Sequence, residues 1–193
     1  MFDSTWPPED MPASPDYLVA LGALSLFYNE MEMALWTFFK TYIANERVRN
    51  FLFEELHNRN RVDLIKALLD DEPNPAFRAE AEHGLKCFDR ITENRNVMLH
   101  SFAFAYENEP MLAKRNRSKS GLLSAYSVPL EVVQANALAA SNTKWFFFGL
   151  SKYREDALGW IADDIEPQPV PPSRPLPPNT LSLFRPLGDH EAD

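Results

Sequence analysis

The run Arg95-Asn96-Val97-Met98-Leu99-His100 places a guanidinium, a carboxamide and an imidazole within six residues. A histidine can take a proton from a hydroxyl near neutral pH, or return one to a leaving oxygen. An arginine meets a phosphate with a planar fork of donors and stabilises charge that develops there. These are the groups needed to cut a ribose–phosphate chain at the 2′-hydroxyl. On a helix, Glu93, Asn96 and His100 fall on one face at i, i+3 and i+7. Asn96 is then placed to orient the imidazole or a phosphate, and Glu93 to fix the imidazole tautomer. Five helical residues turn Arg95 about 140° away from His100. Its head is therefore expected at the rim, over an apolar stem path. Two motifs meeting across a dimer seam would let one chain's Arg95 serve the other chain's His100.

Spacing alone does not select this run. Arg78 and His83, and Arg185 and His190, have the same separation. Only Arg95 is followed by asparagine, and only 95–100 ends a long helical pattern. A basic patch follows it: Lys114, Arg115, Arg117 and Lys119 lie in a stretch without acids between Glu109 and Glu131. These four are candidate phosphate contacts, with Tyr126 near by for base stacking.

The R-N-x-x-x-H form at the end of a long helix resembles the HEPN family. The resemblance implies a helical bundle and metal-independent endoribonuclease activity in a homodimer that contacts RNA. It implies Arg95 at the phosphate, His100 as general acid or base, and Asn96 and Glu93 as orienting groups. The alternative is a non-catalytic module of the same fold that binds RNA, a nucleotide or a protein partner.

The elements that must hold this motif are helical. Ser14-Pro15-Asp16 gives a capping hydroxyl, a first-turn proline and an acid at the helix start. Apolar residues from Leu18 to Tyr42 then recur every three or four positions, which predicts a helix over 15–43. Asn45 caps a short second helix, 57–61 is a polar break, and a third helix spans 61–70. Asn74-Pro75 starts a long helix over 75–101, striped by Phe77, Leu85, Phe88 and Ile91. From Phe102 to Tyr106 the period becomes two, which allows a small β-hairpin within 102–126. A last helix is expected over 129–164, with a bend near Gly149. Its run Trp145 to Phe148 is apolar all round a turn, which suits a core position together with a dimer seam.

The fold class expected is all-α: an up-and-down bundle of four to five helices with a hairpin insert. Residues 1–13 read as a flexible arm, 14–165 as the domain, and 166–193 as a disordered, proline-rich, acidic tail. Within that tail Arg174-Pro175-Leu176-Pro177-Pro178 resembles a PxxP docking peptide. The chain is 45% hydrophobic, with 14 Phe and 4 Trp, enough for an aromatic core. Its net charge of −9 argues against a general nucleic-acid coat. The single cysteine, Cys87, rules out an internal disulfide and a cysteine-based zinc site. No metal and no cofactor are expected. The N-terminal residues lack a secretory pattern and no bulky apolar run is long enough for a bilayer, so a cytoplasmic protein away from membranes is expected.

Overall fold

The structure, a computed structural model, describes residues 13–43, 45–106, 109–115, 123–154 and 172–183. Five helices and a three-stranded sheet follow in the order α1 (Pro15–Lys40), α2 (Glu46–Glu55), α3 (Asn58–Asp70), α4 (Pro75–His100), β1 (Phe102–Tyr106), β2 (Glu109–Arg115), β3 (Leu123–Ser127) and α5 (Leu130–Tyr153). The chain is mostly helical, as expected. Where a small hairpin insert was expected, three strands form an antiparallel sheet in the order β1-β2-β3.

The caps form as their residue types dictate. The side chain of Ser14 accepts from the Tyr17 amide, Asn45 from Val48, and Asn74 from Ala76 and Phe77. These bonds satisfy amides that a helix start leaves unpaired. The polar break expected at 57–61 is instead the first turn of α3, entered through His57.

Three cross-links set the directions of the long helices. Tyr17 donates to the Val128 carbonyl, Lys144 to Glu30, and Arg154 to the Thr41 carbonyl. The residue offset between partners stays nearly constant, so α1 and α5 run parallel, level with one another. Tyr28 meets Thr92 while Phe38 packs on Phe77, so α4 runs antiparallel to α1. Phe38, Phe77, Phe88 and Phe147 fill the middle of the core. A second cluster gathers Tyr17, Leu24, Met98, Leu112 and Val133 at the end where α4 passes into the sheet. Gly84 lets α4 approach α5 closely: a Cβ there would stand 3.0 Å from the Phe147 ring.

Residues 172–183 correct the expectation of a disordered tail; 166–171 and 184–193 lie outside the described residues. The segment runs extended along α4. Arg174 grips Glu80 through two bonds of 2.8 and 2.9 Å. The Pro175 carbonyl meets His83 Nε2 at 2.8 Å, and Asn94 donates to the Asn179 carbonyl. Leu181 is buried and Leu183 bridges to Tyr126. Proline cannot supply ladder amides, so this strap is held by its carbonyls and side chains instead.

α1 is long and apolar enough to cross a membrane by length and composition. Ten of its residues are buried against the rest of the protein.

Candidate functional site

α4 delivers the motif in its last turns. His100 is its final residue; Ser101 turns extended (φ −106°, ψ 159°) and hands the chain to β1. His100 is exposed, while Arg95 and Asn96 are half-buried. Burial among the phenylalanines would have ruled out proton transfer at His100, and it does not occur.

Contrary to the expectation from helical angle, Arg95 does not point away from His100. Its Nη1 lies 3.3 Å from His100 Nε2 and 3.2 Å from Asn96 Oδ1. The guanidinium reaches back because it lies over the Tyr28 ring, 4.8 Å from its centroid. Such a contact favours a cation on the ring face. Tyr28 is itself fixed, buried and hydrogen-bonded to Thr92 at 3.2 Å. Arginine has no acceptor, so a hydrogen bond to His100 requires an unprotonated Nε2, with the ring proton on Nδ1. Arg95 Nε is buried without a hydrogen bond to the described residues.

Glu93 is placed differently. Its carboxylate pairs with Arg90 at 3.7 Å, one turn back, and is largely exposed. Among the described residues it makes no bond to His100, so the expected tautomer-fixing role has no geometric support. Asn96 turns to Arg95 rather than to the imidazole.

Of the basic patch, Lys114 joins the site. Its Nζ donates to the Asn96 carbonyl at 3.2 Å, near the negative end of α4. The hydrogen-bonded β1–β2 ladder, in which Ala113 opposes Phe102, brings it there. Arg115 ends β2, and Arg117 and Lys119 lie outside the described residues. Tyr126 sits in β3 opposite Leu112.

The other two Arg-x4-His pairs do not form this arrangement. Arg78 bonds to the Asp70 carbonyl and His83 to the strap. Arg185 and His190 lie outside the described residues. Among the described residues no three His, Cys, Asp or Glu side chains gather as metal ligands. The apolar cleft lined by Leu35, Trp36, Phe39, Leu52, Phe53 and Ile65 lies near the opposite end of α1 and holds none of the motif.

No family model, curated protein or solved structure matches this chain. The site is therefore read from its own geometry. Sequence reasoning missed Tyr28, which it placed only in the apolar stripe of α1. No spacing in the sequence marks a tyrosine sixty-seven residues upstream as the support of Arg95.

Proposed function

We propose that this chain is a metal-independent endoribonuclease of the HEPN type, acting as a homodimer of up-and-down helical bundles. The observation that carries this reading is the 3.3 Å contact between Arg95 Nη1 and His100 Nε2 at an exposed helix end. It puts an imidazole nitrogen and a guanidinium side by side at one helix end. In the reaction, the Arg95 fork turns from His100 Nε2 to the phosphate, and the freed Nε2 takes the proton of a ribose 2′-hydroxyl. The 2′-oxygen bonds to phosphorus, the P–O5′ bond breaks, and a 2′,3′-cyclic phosphate remains. Water gives the leaving 5′-oxygen its proton, and His100 releases to solvent the proton it took. Arg95 holds the non-bridging oxygens as their charge rises, which is where a fixed cation lowers the barrier most. Asn96 and the Tyr28 ring keep Arg95 in place, and Lys114 adds positive charge beside the path. Both reacting groups come from one chain, so the site does not need a partner's Arg95 to be complete.

The test is cleavage of a mixed pool of structured RNAs in EDTA by the protein and by His100→Ala. Cleavage by the parent alone, leaving cyclic phosphate ends, is the expected result. Equal cleavage by both proteins sinks the assignment of His100.

A further inference from the structure

The face of α1 and α5 turned away from α4 is apolar and exposed. Val19, Leu26 and Met33 project from α1, and Leu138 and Trp145 from α5, each between 55% and 72% exposed. Within each helix these residues recur at intervals of seven, the spacing of a seam between packed helices. The core does not account for them: Phe146 and Phe147 are buried while Trp145 beside them stands in solvent. Together the five leave on the order of 500 Å² of apolar surface on each chain, the size of the largest, often functional, patch on a monomer, and the Glu30–Lys144 pair joins the two helices that carry them.

Charge selects the occupant. The α5 row continues in steps of seven from Glu131 through Leu138 and Trp145 to Lys152. The α1 row ends at Lys40, seven residues past Met33, and Asp16 stands one turn before Val19. Each helix thus carries an acid in its first turn and a lysine in its last. Because α1 and α5 are parallel, one end of the face is acidic and the other basic. The acid-to-lysine span centres on Tyr28 in α1 and on Ser141–Asn142 in α5. Those levels coincide, given the offset set by Glu30–Lys144 and Thr41–Arg154.

A second copy laid antiparallel across that level brings each acidic end onto the other's basic end, and also opposes the helix dipoles. A parallel copy would put like charges together. Two such faces bring about 1,000 Å² of apolar surface, with the charged ends as rim, which reaches the size of a specific interface.

We propose that this face is an isologous, antiparallel dimer interface between two copies of the chain, remote from the Arg95–His100 pair. It locates the seam of the homodimer named above. It does not depend on RNA cleavage, so a failed nuclease assay and a failed dimer are separate results.

The experiment is sedimentation equilibrium of the full chain, of Leu138→Glu/Trp145→Glu, and of a charge series. Glu131, Leu138 and Trp145 are exposed and Lys152 is half-buried, and circular dichroism checks that the fold persists. The parent is expected to be a dimer, and the double variant to dissociate at least tenfold more readily, as loss of central apolar anchors does. Glu131→Lys should weaken the dimer, and Glu131→Lys/Lys152→Glu should restore it, because the swap rebuilds the pair across the two-fold. A monomeric parent overturns the proposal, as does a parent dimer that the double variant leaves intact. So does a parent that stays monomeric until residues 1–12 are removed, which would make that arm the occupant. A monomeric parent that cosediments with anionic lipid vesicles, while the double variant does not, would assign the face to a membrane and also overturn it.

Discussion

Arg95 Nη1 meets His100 Nε2 at 3.3 Å across about 140° of helix. Two things make this reach possible. The arginine stem is long, and the Tyr28 ring gives its head a place to lie. His100, as the last helical residue, has no further turn above it to block the approach.

That relationship sets the expected behaviour of the two obvious variants. His100→Ala should lower the single-turnover rate by about 10²–10⁴-fold, the usual contribution of a positioned acid or base. Arg95→Lys keeps the charge but loses the planar fork, and should lower it by about 10²–10³-fold. His100 is exposed, so His100→Ala should leave stability within about 0.5 kcal/mol of the parent. Single-turnover cleavage and a urea melt on the same preparation check both. A rate loss matched by a large stability loss would mean that the effect is structural.

Tyr28 separates support from mere burial. Tyr28→Phe removes the bond to Thr92 but keeps the ring under Arg95. Thr92 retains its bond to the Phe88 carbonyl, so the substitution should cost only about 0.5–1.5 kcal/mol and leave cleavage nearly unchanged. Tyr28→Leu removes the ring as well and should lower cleavage while the fold survives. Activity in the order parent, Phe, Leu, measured at a urea-free temperature well below both melts, is the expected outcome. Equal activity of the Phe and Leu variants would show that the ring does not position Arg95.

The helices were legible because their signals are local. Ser14-Pro15, Asn45 and Asn74-Pro75 write their own caps, and the stripes around Leu24 and Phe88 have helical period. The motif was legible as a set of residue types, since Arg95, Asn96 and His100 are near neighbours in sequence. Its geometry was not, because the angle between Arg95 and His100 is overridden by a side chain on another helix. Glu93 faces Arg90, one turn back, at 3.7 Å and makes no bond to His100 among the described residues, a pairing that the i, i+7 spacing to His100 did not reveal. The strap at 172–183 was misread because proline content speaks against helix and strand but says nothing about docking. Its anchors, Glu80, His83 and Asn94, lie some ninety residues earlier.

Asn94 should be the most sensitive polar residue in the core. It donates at 2.8 Å both to Asn136 Oδ1 on α5 and to the Asn179 carbonyl in the strap. Asn94→Leu leaves Asn136 buried with an unpaired oxygen, which costs about 1–3 kcal/mol. Asn136→Leu should do similar harm from the other side. The double substitution should cost clearly less than the sum, since neither then strands the other. Urea midpoints of the three variants and the parent form the cycle. Strict additivity would show that the pair is not energetically coupled.

Cys87 reports on the strap. Its thiol is buried, 3.6 Å from His83 Nε2 and 3.8 Å from the Pro175 carbonyl, and burial pushes its pKa up to about 11 from 9.0. At pH 8 the thiolate fraction is then about a hundredfold lower than for an ordinary cysteine, before steric shielding is counted. The folded chain should therefore react with a disulfide reagent far more slowly than the urea-unfolded chain. Removing residues 167–193 takes away the Pro175 cover and should raise the rate at least tenfold while the helical spectrum stays the same. The sign for stability follows from a pKa that is higher in the fold. The neutral thiol is the form that the fold favours, so its contribution is intact below pH 9.0 and is lost as pH rises through about 11. Relative to Cys87→Ala, the parent should thus lose stability between pH 9 and 11, read from urea midpoints at the two ends of that window. Fast labelling of the intact chain at pH 8 would mean that the strap does not cover α4 in solution.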